Sequence, residues 1–128
     1  MKESAYPSEW LEIARKDFKR AKLLLEMGDV EAAGFFLQQS IEKYLKAFAL
    51  HLGLRLRKIH ELDALLDDVV EHAPGLERFR AFCERASGYY LLVRYPIFFG
   101  PELTEAQLRA DIDVAERLIE VLEGELGP

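Results

Sequence analysis

The chain has 128 residues and a mass of 14.7 kDa, with 50% apolar residues, 31% charged residues and a formal net charge of −6. This composition is typical of one ordinary soluble domain, and the length is sufficient to bury a single apolar core. The single cysteine, Cys83, excludes an intramolecular disulfide and a four-cysteine zinc cluster. Without a signal peptide or a membrane-length apolar run, the sequence predicts a cytoplasmic protein.

The charge is divided unevenly between the two halves of the chain. Residues 1–58 carry eleven basic and eight acidic side chains, whereas residues 59–128 carry six and fifteen. A basic face in the first half is suited to a polyanion, and solvated helix faces of mixed sign are the alternative interpretation.

Apolar residues recur at helical spacing along nearly the whole chain, and alternating strand-like runs are missing, so the sequence predicts an all-α protein. Helix one is predicted over residues 8–27 with Ser8 as its N-cap, and Gly28 ends it. Asp29 is predicted to cap helix two, residues 30–52. The apolar residues of helix two cover more than half of its circumference, which predicts that this helix lies at the centre of the molecule.

The second half of the chain is predicted to supply three more helices. Helix three is expected to begin around His60 and to end before Pro74, and helix four covers residues 76–94. Thr104 opens helix five as the first residue of a capping box. Together these elements predict a single domain, residues 1–128, built as an antiparallel up-and-down bundle of four long helices and one short helix.

A polar strip on helix two is the first candidate site. It holds Gln39, Glu42, Lys43 and Lys46, and long polar side chains on a mostly buried helix need partners. Glu42 and Lys46 stand four residues apart in the order that favours an ion pair. A pair that only satisfies itself and a functional polar groove are two interpretations that the sequence leaves open.

The remaining candidates lie around one histidine and one arginine. His60 follows a basic run that includes Arg55, and it is the histidine best placed for acid–base or hydrogen-bond chemistry, with a local cap as the alternative. Arg94, beside Tyr90 and Tyr95, is a candidate for binding a phosphate and a stacked base, with capping of the helix end as the alternative. The sequence has no Glu-x-x-His or His-Glu-x-x-His pattern and no Gly-rich phosphate loop, so no metal or cofactor is predicted.

Two apolar features of the second half have different interpretations. Cys83 lies among the aromatic residues of helix four, where an inert buried thiol is expected. The following loop carries Ile97, Phe98 and Phe99, an apolar run that folds back onto the core or forms an interface with a partner. We favour the interface.

Three short segments form a pattern that spans most of the chain. The sequence reads Gln-Gln-Ser-Ile-Glu-Lys-Tyr-Leu-Lys-Ala over residues 38–47, His-Glu-Leu over residues 60–62 and Arg-Tyr-Pro over residues 94–96. With Trp10 in helix one, this pattern resembles the HEPN domain (higher eukaryotes and prokaryotes nucleotide-binding). The resemblance implies a compact bundle of four or five helices that forms a homodimer or a higher homo-oligomer.

The resemblance also implies a partner and an activity. Small stand-alone HEPN proteins are typically encoded beside a minimal nucleotidyltransferase, and several such pairs work as a toxin and an antitoxin. The toxin activity is metal-independent RNA cleavage by a late-helix motif of Arg, four to six residues and then His. No His follows Arg94 in this chain, and the one match runs from Arg55 to His60 between helices two and three. The residues that the resemblance places in a shared polar groove are Glu42, Lys46, His60, Arg94 and Tyr95.

Three functions follow from these observations. The first is a subunit that binds nucleotide or RNA, with Arg94 and Lys46 on phosphate, and pairs with a minimal nucleotidyltransferase in a toxin–antitoxin-like system. The second is a metal-independent ribonuclease in which His60 is the acid–base group and Arg94 or Arg55 stabilises the developing charge. The third is a non-catalytic helical adaptor that binds no ligand.

Overall fold

The computed structural model describes residues 3–95 and 102–127. Over these residues the chain forms five α-helices and no strand, which confirms the all-helical bundle. The helices are α1 (Pro7–Glu26), α2 (Val30–His51), α3 (Leu62–Val70), α4 (Arg80–Ala86) and α5 (Glu105–Leu126). Within these same ranges, no helix is long and apolar enough to cross a membrane.

The fourth helix, expected as one continuous element over residues 76–94, is divided into three pieces. Two 3-10 helices, Pro74–Phe79 and Ser87–Leu91, flank the seven-residue α4. Ser87 Oγ donates to the Cys83 carbonyl at 2.7 Å, a side-chain bond to the previous turn that competes with the regular helical pattern. The long helices are therefore α1, α2 and α5, and the segment that carries Tyr90 is a tighter turn.

Local sequence signals set most helix ends. Asp29 caps α2 as predicted, because its carboxylate accepts from the Ala32 amide at 3.2 Å. Gly28 takes a φ of +82°, the left-handed conformation that ends α1. The prediction of Ser8 as the N-cap of α1 was wrong: the N-cap is Tyr6 and Pro7 is the first helical residue, since the fixed φ of proline suits that position.

The helices pack with α1 antiparallel to two neighbours. Residues 27–29 join α1 to α2 as a helical hairpin. α5 also runs antiparallel to α1, because Arg15 pairs with Glu123 at 2.5 Å and Arg109 pairs with Glu26 at 3.8 Å. α2 and α5 therefore begin at the same end of the bundle.

α2 lies at the centre of the fold, as its apolar pattern predicts. It packs against α1, α3, α5 and the second 3-10 helix. Its largest fully buried apolar side chains are Leu37, Ile41, Leu45 and Phe48. Burial of each such side chain stabilises the fold by about 1.5–3 kcal/mol.

Gly34 allows the segment after α4 to lie close to α2. A Cβ atom on Gly34 would meet Leu103 Cδ2 at 3.0 Å and Leu92 Cδ1 at 3.2 Å, closer than ordinary packing permits. The missing side chain seats Leu92 against the helix backbone. Tyr90 and Arg94, on either side of Leu92 in the chain, are consequently brought alongside α2.

The start of α3 depends on a distant residue. The expectation that His60 opens this helix was wrong, because α3 begins at Leu62 and Glu61 supplies no side-chain cap. Instead, the Leu62 amide donates to Ser87 Oγ at 2.8 Å. Residues 53–61 contain no Ser, Thr, Asp or Asn to act as a local N-cap, so the helix begins where a partner from elsewhere is available. His60 lies in the connection before the helix.

Candidate functional site

The centre of the candidate site is a buried ion pair on α2. Glu42 Oε2 and Lys46 Nζ lie 3.1 Å apart, and the two residues are only 4% and 2% exposed. The Lys46 ammonium also lies 5.4 Å from the centre of the Trp10 ring on α1. The predicted pair thus forms away from solvent, where each charge depends on its partner.

The second oxygen of Glu42 joins the ion pair to His60. Glu42 Oε1 lies 2.9 Å from His60 Nδ1. Because an ionised carboxylate only accepts hydrogen bonds, Nδ1 is the nitrogen that donates, and in the neutral ring Nε2 is left as an acceptor. The His60 side chain is 55% exposed, so the buried Glu42–Lys46 pair reaches the surface through this ring.

Gln38 is a residue of the site that sequence reasoning missed. It is fully buried, and its Nε2 donates to Glu42 Oε1 at 3.2 Å and to the His60 carbonyl at 2.8 Å. Its Oε1 accepts from Gln39 Nε2 at 2.7 Å. Gln38 therefore holds both the carboxylate and the backbone of the histidine. Its position one helical turn before Glu42 was the available signal.

A second buried carboxylate extends the polar contacts toward α1. Asp17 is 2% exposed, and it pairs with Lys43 Nζ at 2.7 Å and with the Arg20 guanidinium at 2.7 Å. Lys43 also donates to Gln39 Oε1 at 3.3 Å, which connects this group to Gln38. Asp17 was not singled out from the sequence, although a carboxylate on the apolar face of helix one was a visible signal.

Tyr90 and Arg94 lie along the same side of α2 as His60. The Tyr90 and His60 rings are 5.5 Å apart with a tilt of 38°. The Arg94 guanidinium carbon lies 5.9 Å from the centre of the Phe35 ring. Phe35 precedes Glu42 by two helical turns, about 10 Å along the axis and on the same face of α2.

We call this surface the α2 strip. It consists of the polar face of α2 between Phe35 and Lys46, bordered by side chains of α1 on one side and of the later segments on the other. The bordering residues are Trp10, Arg20, His60, Tyr90 and Arg94.

Other predicted site residues are not joined to the α2 strip by described contacts. Arg55 and Tyr95 are exposed, and within residues 3–95 and 102–127 neither forms a side-chain hydrogen bond or ion pair with the strip. The predicted interface residues Ile97, Phe98 and Phe99 lie outside the described residues. In the part of the chain that the structure describes, no three His, Cys, Asp or Glu side chains are grouped to hold a metal ion.

A separate buried carboxylate on α5 binds side chains of α4 and of the 3-10 helix that follows it. Asp111 is fully buried, and it accepts from Arg85, from Gln107 Nε2 at 3.0 Å and from the Tyr89 hydroxyl at 2.5 Å. Burial, followed by the hydrogen bond to Asp111, raises the pKa of Tyr89 above its ordinary value. This cluster holds in place the 3-10 helix that also carries Tyr90.

The fold and the site together define an all-α bundle domain whose central helix buries a Glu–Lys pair linked to a histidine. The family model for the HEPN domain matches residues 7–125, so the chain belongs to the HEPN domain family.

Solved structures share this fold. The crystal structure of TT1696 from Thermus thermophilus is 28% identical in sequence, with a TM-score of 0.81 over 92% of this chain and 96% of that chain. ST0689, described as an archaeal HEPN homologue, is 22% identical, with a TM-score of 0.76 over 99% of this chain and 100% of that chain. A comparison with curated proteins gave no match.

Proposed function

We propose that the chain is a nucleotide- or RNA-binding HEPN subunit that acts in the cytoplasm. The observation that carries this proposal is the α2 strip, where an exposed arginine and two neighbouring rings border a buried, charged helix face. Membership of the HEPN family supports a role related to nucleotides or RNA. Exposed guanidinium groups bind phosphate, and aromatic rings stack on bases.

The residues of the strip have different proposed roles. Arg94 is exposed and binds the phosphate, while the rings of Tyr90 and His60 stack on the base. Lys46 is 2% exposed and forms an ion pair with Glu42. It therefore holds the Glu42 carboxylate in position and does not touch the phosphate directly. This role differs from the phosphate contact that its position in the sequence suggests.

Substitution of Arg94 tests the proposal. Arg94→Ala is expected to weaken binding of AMP and of short adenylate RNA by about 1–3 kcal/mol, the value of a charged hydrogen bond. Isothermal titration calorimetry measures the affinities of wild type and variant. The matched control is Arg78→Ala, since Arg78 is also exposed and lies over a phenylalanine ring, 4.8 Å from the centre of Phe79. Equal affinity of wild type and Arg94→Ala would rule out the role.

We further propose that the subunit forms a homodimer or a higher homo-oligomer and pairs with a minimal nucleotidyltransferase in a toxin–antitoxin-like system. The support is the resemblance of its motifs to small stand-alone HEPN proteins. Light scattering on the chain alone, and on the chain mixed with the product of an adjacent nucleotidyltransferase gene, measures both associations. A monomeric chain with no shift in mass on mixing would reject both.

Metal-independent RNA cleavage is the second candidate function, and the Glu42–His60 contact favours it. The carboxylate fixes the donating nitrogen of the ring, which leaves Nε2 to accept a proton from the 2′-hydroxyl as its oxygen attacks phosphorus. Arg94 or Arg55 would then stabilise the charge on the phosphorane. The bond from phosphorus to the 5′-oxygen then breaks, which leaves a 2′,3′-cyclic phosphate, and the protonated ring or water gives the 5′-oxygen a proton.

Incubation of the protein with end-labelled RNA in EDTA tests this candidate. His60→Ala is expected to abolish cleavage, while His72→Ala, which changes another exposed histidine, is expected to retain it. If wild-type protein at high concentration cleaves no RNA, the ribonuclease function is rejected. The binding measurements on Arg94→Ala then decide the binding function.

A further inference from the structure

One end of the α2 strip carries two arginines on a pair of phenylalanine rings. The Phe35 and Phe36 rings are 5.1 Å apart and nearly perpendicular, at 86°. Arg20, from α1, places its guanidinium carbon 5.8 Å from the centre of Phe36, and Arg94 lies 5.9 Å from Phe35 on the other side. We call these four residues the Arg–Phe cluster.

The Arg–Phe cluster has an excess of positive charge. Asp17 is shared between Arg20 and Lys43, so one carboxylate faces two cations. Arg94 takes part in none of the ion pairs formed within residues 3–95 and 102–127. The Arg20 side chain is 50% exposed, so its guanidinium is accessible while it remains held by Asp17 and Phe36.

The Arg–Phe cluster extends the proposed nucleotide site around α2, from Arg94 at Phe35 to Arg20 at Phe36. If a base lies on the rings of His60 and Tyr90, its phosphate reaches Arg94, which stands at Phe35. Arg20 lies at nearly the same level of α2, beside Phe36, which is about 1.5 Å along the axis and 100° around the helix from Phe35. A mononucleotide has no second backbone phosphate to place there, whereas the next nucleotide of a chain does.

We propose that the Arg–Phe cluster is a second subsite that takes the adjacent nucleotide of a single-stranded oligonucleotide. Arg20 binds its phosphate, and the exposed parts of Phe35 and Phe36 contact its base. This inference rests on the proposed function, because the first subsite is the one formed by Arg94, His60 and Tyr90. It adds a requirement for ligand length, which the first subsite alone does not impose.

Calorimetric titrations with AMP and with oligoadenylates of two, four and six nucleotides test the second subsite. Arg20→Gln is expected to weaken all three oligoadenylates, each of which carries the adjacent nucleotide, roughly five- to tenfold, a contact-sized effect, and to change AMP binding less than twofold. The salt dependence for the oligoadenylates is expected to fall by about 0.7 in log–log slope, the value of one phosphate contact to a single strand. Lys19→Gln, which removes a charge from the neighbouring exposed residue of α1, is the control.

Arg20→Gln removes one of the two cations that pair with the buried Asp17, and this loss could itself affect folding. A second variant that keeps all charges therefore serves as a check. Phe36→Leu keeps an apolar side chain and all charges, and it is expected to weaken only the oligoadenylates. Circular dichroism and melting curves verify that both variants are folded.

The outcomes separate this inference from the function on which it rests. Oligomers that bind no tighter than AMP, or an Arg20→Gln variant that weakens AMP and oligomers equally, overturn the second subsite and leave the first intact. Competition by polyglutamate as strong as by hexaadenylate also overturns it, because the cluster would then dock acidic protein. If neither AMP nor any oligomer binds, both proposals fail.

Discussion

Charge removal at Glu42 should destabilise the fold more than charge removal at Lys46, although the two groups form one ion pair. In Glu42→Gln, Lys46, which is 2% exposed in the wild type, keeps only neutral partners, the substituted amide oxygen and the Trp10 ring. Loss of one member of a buried pair costs about 3–5 kcal/mol. In Lys46→Met, the Glu42 carboxylate still accepts from Gln38 and from His60, so a smaller cost is expected.

The size of the effect makes it easy to measure. A domain of this kind has a free energy of unfolding of about 5–15 kcal/mol, so the Glu42→Gln cost is a large fraction of the total. With an unfolding entropy of about 2.1 cal/mol/K per residue, each kcal/mol lowers the melting temperature of this chain by about 4 °C. Glu42→Gln is therefore expected to lower it by about 10–20 °C.

Urea and thermal unfolding, followed by circular dichroism at pH 7, measure both variants. Glu12→Gln is the matched control, because Glu12 and Lys16 form an exposed pair with the same four-residue spacing at 3.6 Å. Exposed pairs of this kind contribute only about 0.3–0.5 kcal/mol. A Glu42→Gln variant within about 1 kcal/mol of wild type, or a Lys46→Met variant that is the less stable of the two, would refute the reasoning.

Three further predictions concern other parts of the chain. Burial, together with Glu123, raises the pKa of Tyr44 to about 12. The folded state therefore loses stability as the pH rises from about 10 to 12. Urea unfolding at high pH should show a smaller loss for Tyr44→Phe than for wild type. Burial raises the pKa of the Cys83 thiol to about 12, so a thiol reagent at pH 8 should label it only in denaturant. The sequence predicts that Phe98 and Phe99 form the interface. Replacement of both by serine should then lower the mass measured by light scattering from that of an oligomer to that of a monomer. An unchanged oligomer would contradict the predicted interface.

Features of the fold that depend on residues close together in the sequence could be predicted. Asp29 and Thr104 act as N-caps as expected, because a cap binds an amide only three residues away. The capping box at Thr104 forms only in part: the Gln107 amide donates to Thr104, while the Gln107 side chain donates to Asp111. The Gln107 side chain is bound to the buried Asp111 carboxylate, so it does not return to the Thr104 backbone as a full capping box requires.

The candidate site could be predicted only where its residues share a helix. Glu42 and Lys46 pair because four-residue spacing puts them on one face of α2. The contact between Glu42 and His60 spans 18 residues and depends on the path of the connection, which no periodicity reveals. The placement of Arg94 on Phe35 likewise depends on the break in helix four, whose apolar spacing predicts one continuous helix.

The amide of Leu62, bound by a hydroxyl 25 residues further along the chain, has a consequence for the order of assembly during synthesis. A nine-residue helix such as α3 is too short to persist alone, and its first amide has no acceptor until Ser87 arrives. At a translation rate of about 5–20 residues per second, the nascent chain waits roughly one to five seconds between these two residues. The α1–α2 hairpin can close while this happens, and Gln38 and Glu42 can already bind His60. A nascent chain interrupted before Ser87 therefore has the charged helix and its histidine, but no acceptor for the first amide of α3.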